Sequence, residues 1–212
     1  MLKAIAFTPL FVIVFLRTWI PLVFSLLLHE MVHHITESIV TGKRVESSRL
    51  INPFGSFFYP FINYCLRMTY GASIIVGWTK PKYNKDLNFG QNFLVAISGP
   101  LFNLGLAVLL AKLAFSVLQL NQNMQDNLLI WFLEPLFSLM IKLNLLIFLV
   151  NLLPFYPFDM SRLWMPYVLK KNENLFFLCK VLGLVLTIVL FLQPAAWSFI
   201  DKVINAFVSL LS

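Results

Sequence analysis

Apolar residues run in long blocks along this chain, and the polar residues collect between the blocks. The first block, Thr8 to Val40, is broken only by Pro9, Arg17, Pro21 and a cluster of polar residues near its end. It is long enough to span a bilayer with some tilt, and Pro21 can kink it. A basic loop follows over 41–53. Segment 54–79 is apolar but irregular, punctuated by Gly55, Pro60, Arg67, Gly71 and Gly77, and reads poorly as a straight span. Polar and basic residues 80–92 lead into a strong span from Asn92 to Leu118. The polar turn 119–127 contains no base. Leu128 to Leu153 forms the next span, and Pro154 and Pro157 end it in an extended segment. Leu175 to Leu192 is a further span, and 195–211 is a helix that either crosses the membrane or, as its composition slightly favours, lies at the interface.

This pattern predicts an all-α polytopic membrane protein forming a single integral-membrane domain over 1–212, with a core over about 8–165 and C-terminal helices over 174–211. Composition supports it. Of the 212 residues, 59% are hydrophobic and 12% charged, against roughly 45–50% and 25% in ordinary soluble domains. That balance excludes a soluble enzyme, a disordered chain and a disulfide scaffold. The formal net charge of +7 points to orientation rather than to nucleic acid, because the bases sit in short clusters between spans: Lys43, Arg44 and Arg49; Lys80, Lys82 and Lys85; Lys170, Lys171 and Lys180. Cys65 and Cys179 lie in apolar segments without metal-type spacing and read as small buried hydrophobes. The N-terminus lacks a small-x-small cleavage site and does not read as a signal peptide.

The chain's three histidines, His29, His33 and His34, fall within six residues of one predicted helix. Ionisable groups at membrane depth are costly and mark function by default. His29-Glu30-x-x-His33 places two imidazoles about 40° apart on one helix face, where they can share a Zn²⁺. Glu30 lies about 100° from His29 and about 60° from His33, so it can flank the ion without ligating it and move a proton between water and a leaving amine. A chance match in a chain this poor in His and Glu is on the order of one in a thousand. His34, about 140° round the helix from His29, reads as a bystander, and Glu37 as an interfacial charge. Lys142, in mid-span, has no evident partner except Glu134.

A catalytic zinc needs a third protein ligand and an open position. Asp159 follows Asn151-Leu-Leu-Pro154-Phe-Tyr-Pro157-Phe158. It can be that ligand or the N-cap of a helix starting near Ser161. The positive-inside rule puts all three basic clusters on the cytoplasmic side, so the first span and 128–153 both run inward. His29, His33 and Asp159 then share a depth, provided that 54–79 is a re-entrant hairpin; a single crossing would put Asp159 on the far side.

Four segments in order resemble the site-2 protease family of intramembrane zinc metalloproteases, in particular its compact prokaryotic members, over roughly 10–165. His29-Glu30-Met31-Val32-His33 is similar to the family's first zinc motif. Gly77-Trp78-Thr79-Lys80-Pro81 resembles its Gly-Trp-Ala-Lys-Pro segment. Ser98-Gly99-Pro100-Leu101-Phe102-Asn103 resembles Ala-Gly-Pro-x-x-Asn. Asn151 to Asp159 resembles Asn-x-x-Pro-x-x-Pro-Leu-Asp-Gly. The resemblance implies a three-helix core holding one Zn²⁺ through His29, His33 and Asp159, with Glu30 as catalytic acid and base. It also implies transmembrane-helix protein substrates cut within or near the bilayer, in a prokaryotic inner membrane; the positive-inside rule puts the site towards the cytoplasm. Asn103, Asn151 and Pro154 fall in its motifs, as groups that bind substrate or support the reaction; interhelical hydrogen bonding is the plainer account of the two amides. Met160 stands where the family has Gly, which leaves room for an inert zinc-holding scaffold or adaptor of the same fold. A metal transporter is a third reading, but the polar residues form one cluster and no path across both leaflets.

Overall fold

The computed structural model describes residues 9–43, 83–120 and 128–211. The expected re-entrant segment 54–79, the Gly77–Pro81 motif and Cys65 lie outside the described residues. Within them every element is helical: α1 (Pro9–Thr41), α2 (Phe89–Leu120), α3 (Leu128–Asn151), a 3-10 turn η1 (Asp159–Leu163), α4 (Met165–Lys171), α5 (Glu173–Leu192) and α6 (Pro194–Leu211). Three stretches are long and apolar enough to cross a membrane: Phe89–Val117, Leu133–Asn151 and Glu173–Leu192.

Pro21, Pro100 and Pro135 each lie inside a helix. Neighbouring helices can supply partners for the carbonyls that proline frees, so apolar spans tolerate prolines that would end a solvated helix. Helix starts follow local chemistry. At α2, Asn88 Oδ1 accepts from the Gln91 amide at 2.9 Å and Gln91 Oε1 from the Asn88 amide at 3.0 Å, a reciprocal capping box. At α5, Asn172 Oδ1 accepts from the Asn174 and Leu175 amides, satisfying two donors that the helix start leaves free.

Helices α1, α2 and α3 pack on one another, and η1 docks against α2. Leu22 and Leu26 of α1 meet Leu143 and Ile147 of α3 in one buried cluster. A second cluster joins Ala107 and Leu110 of α2 to Ile141 and Leu145 of α3 and Ile204 of α6. Further along, Ile200 packs against the cluster of Val150, Phe158 and Phe191. Helix α6 therefore packs antiparallel along α3. Helix α5 buries only Gly183, Thr187 and Phe191, one residue per turn, and this stripe meets the 154–158 segment. A Cβ on Gly183 would come within 2.6 Å of the Tyr156 carbonyl oxygen, so only glycine permits this approach. The remaining surface of α5 is largely exposed Leu, Val, Ile and Phe, as expected of a face turned to lipid.

Candidate metal centre

His29 and His33 stand one turn apart on α1, both buried. The direction of their hydrogen bonds can be read from fixed acceptors. Asn144 Nδ2 donates to the Met140 carbonyl at 2.8 Å and to Ser25 Oγ at 3.0 Å. Its Oδ1 end therefore faces Asn103, whose Nδ2 donates to it at 2.7 Å. Asn103 then presents Oδ1 to His29, and His29 Nδ1–H is the donor. In the same way, His33 Nδ1–H donates to the Val95 carbonyl at 2.6 Å. With Nδ1 carrying the proton in each neutral ring, both Nε2 atoms offer bare lone pairs.

These two nitrogens lie 3.1 Å apart. Asp159 Oδ2 lies 2.8 Å from one and 3.0 Å from the other. Three buried acceptors thus form a near-equilateral triangle. One shared proton could relieve only one edge, whereas a divalent cation relieves all three. Tetrahedral zinc with bonds of about 2.0–2.1 Å would set such donors about 3.3 Å apart, slightly wider than the triangle seen. Gly99 of α2 lies against it. A Cβ there would approach His29 Nε2 to 2.8 Å and His33 Nε2 still more closely, so the glycine keeps open space that a side chain would fill. The donor set and this space fit a metal ion.

A carboxylate oxygen of Glu30 lies within 4.8 Å of both imidazoles, and the residue is buried. Among the described residues, His29, Glu30 and His33 together could hold a metal ion, and Asp159 Oδ2 lies within hydrogen-bond reach of both rings. Asp159 is the first residue of η1, and Phe158 occupies the N-cap, so the N-cap alternative for Asp159 does not hold. Its other oxygen, Oδ1, faces Arg162 Nε at 3.8 Å. Ser161 Oγ donates to the Phe158 carbonyl at 2.6 Å and therefore accepts from Tyr83 O–H at 2.8 Å. Burial pushes the Tyr83 phenol above its usual range, which keeps that donor protonated.

The other expected residues divide. Asn103 is fully buried, with Oδ1 accepting from His29 and Nδ2 donating to Asn144, so it orients the ring of His29 and links α2 to α3. Asn151 Nδ2 donates to the Ile147 carbonyl of its own helix at 2.9 Å. Pro154 is exposed, and its carbonyl accepts from the Trp164 indole at 2.6 Å. Glu37 is taken up by Asn84 Nδ2 at 3.2 Å, which ties the end of α1 to the start of α2. Among the described residues Lys142 and Glu134 form no ion pair. Cys179 is half-buried, less enclosed than expected. Sequence reasoning gave no part to Ser25, Asn144, Tyr83, Ser161 or Arg162. Ser25 was accessible to it, being four residues before His29 and so on the same helix face.

No family model, curated protein or solved structure matches the chain.

Proposed function

We propose that the protein is an intramembrane zinc endopeptidase that hydrolyses peptide bonds in transmembrane segments of other proteins. One observation carries the reading: two imidazole nitrogens and a carboxylate oxygen converge beneath Gly99 with a buried glutamate beside them. Two His and one carboxylate, with a fourth position open, are a donor set that catalytic zinc uses. The four sequence motifs that resemble site-2 proteases support the same conclusion.

His29, His33 and Asp159 would hold the ion. Zinc supplies Lewis acidity, which brings the pKa of water to about 7 and polarises a carbonyl. The chain's own residues do the rest. Glu30 accepts the proton of the attacking water through a carboxylate oxygen and returns it to the leaving amine. Asn103 and the Val95 carbonyl hold both rings with Nε2 inwards. Buried Asn144 and Ser25 fix the direction of that chain of hydrogen bonds. The substrate must lose its helical form locally, since an intact helix screens its carbonyls with its own hydrogen bonds.

His33 lies eight residues before Thr41, so the site sits about 12 Å along α1 from that helix end. Lys43 just beyond α1 and the exposed Lys170 and Lys171 at the end of α4 favour a cytoplasmic orientation for this end. Met160 gives little support to an inert scaffold. Among the described residues no residue other than glycine has positive φ, so Met160 fits η1 without the freedom of glycine.

Glu30→Gln tests the proposal. Zinc content should stay unchanged, while cleavage of a helical reporter substrate in vesicles falls by about 10²–10⁴. Undiminished cleavage by that variant would sink the mechanism.

A further inference from the structure

Helix α6 has three distinct faces. Ile200, Ile204, Phe207 and Val208 pack inwards on α2 and α3. One outward flank is apolar, with Phe199 68% and Leu210 82% exposed. The other outward flank is polar: Ser198, Asp201, Lys202, Asn205 and Ser209, all exposed. Ile200 packs on the cluster of Val150 at the end of α3, Phe158 and Phe191, which puts Asp201 and Lys202 level with the end of α3 that leads into the Asp159 segment. Among the described residues, neither charge enters an ion pair. A helix that turned this flank to lipid would hold an unpaired carboxylate, an ammonium and an amide in hydrocarbon, which is strongly unfavourable. The apolar flank, by contrast, can face lipid without that cost.

We infer that the polar flank of α6 is an interface with a second copy of this chain. The pattern is self-complementary. Ser198 and Asn205 are seven residues apart and line a seam with only about 20° of drift. Asp201 and Lys202 fall about 50° to either side of that seam, at almost the same height. Two copies inserted the same way are related by a two-fold axis along the membrane normal, so their α6 helices are parallel. In that arrangement the left flank of one helix meets the right flank of the other. Asp201 of each copy therefore faces Lys202 of the other, and two reciprocal ion pairs bracket the seam. Ser and Asn along the seam are residues that let membrane helices approach and hydrogen-bond across the contact. The inference goes beyond the proteolytic reading and does not depend on it; it rests on the membrane location of α6.

Disulfide mapping in native membranes tests it. In a Cys65→Ala, Cys179→Ala background, single cysteines replace Ser198, Asn205, Phe199 or Leu210, and the full-length chain is oxidised. The Ser198→Cys and Asn205→Cys chains should give a covalent dimer about tenfold more abundant than the Phe199→Cys and Leu210→Cys chains. Asp201→Lys added to the Asn205→Cys chain should cut that dimer about tenfold, and further addition of Lys202→Asp should restore it. Equal cross-linking on both flanks, none on the polar flank, an adduct with a different protein, or no rescue by the charge exchange would each overturn the inference. Release of the chain by alkaline carbonate would overturn it together with the membrane reading, whereas retention without the dimer overturns it alone.

Discussion

His29 and His33 were legible because a helix fixes what lies four residues away, so spacing alone brings two imidazoles to one face. Asp159 was not legible in that way, being 130 residues from His29; only topology and motif order pointed to it. Asn103 was visible as an amide in a span, but which group it serves depends on the packing of α2 against α1. Gly99 was a letter in a motif until the position of its missing Cβ gave it a physical reason. Gly99→Ala should therefore remove bound metal while the chain still inserts, as measured by zinc content of the purified protein; full zinc occupancy would show that the space above the rings is not needed. Asn103→Ala frees the ring of His29 to rotate and change tautomer. It should weaken zinc binding by about 10–100-fold, read by competition with a chelator, and an unchanged affinity would separate Asn103 from the site.

At the scale of elements, apolar block length and flanking polar residues gave the helices and their order, while boundaries were set by finer chemistry. Helix α2 begins at Phe89, ahead of the expected start at Asn92, because Asn88 and Gln91 cap each other; the Asn-x-x-Gln spacing was available to be read. Asn88→Ala should lower stability by about 1 kcal/mol, measured by thermal unfolding in detergent. The placement of α6 was not legible, since amphipathicity identifies a face to be covered but not the helix that covers it. The contact of α5 with the Asp159 segment was equally hidden. Gly183 is unremarkable in the sequence, yet it lets α5 press on Tyr156, with Thr187 Oγ1 lying 3.4 Å from the same carbonyl oxygen. Gly183→Leu should push α5 off this segment at a cost of about 1–3 kcal/mol and reduce zinc retention, because Asp159 lies three residues beyond Tyr156. Unchanged stability and zinc content would show that α5 does not brace the site.

Over the whole molecule, the low charged fraction was the most informative property of the composition. With 9 Asp and Glu and 3 His in 212 residues, few groups could carry hydrolytic chemistry, and His29, Glu30, His33 and Asp159 are the four that the fold gathers. In the proposed topology the excess of bases marks the cytoplasmic side. Cysteines introduced at Lys43 and Lys171 should be labelled by impermeant maleimide from the same, cytoplasmic side of sealed vesicles, and labelling from opposite sides would break the topology. The central claim is a zinc ion held by two imidazoles and one carboxylate, with Glu30 beside it acting as base. Zinc-edge X-ray absorption on the purified Glu30→Gln protein, which should bind the ion but not turn over substrate, tests that claim most directly. The account predicts one zinc per chain with two imidazole nitrogens at about 2.0–2.1 Å and oxygen ligands at about 2.0–2.2 Å, and loss of that signal on adding Asp159→Ala. A chain without zinc, or the same spectrum without Asp159, would contradict it.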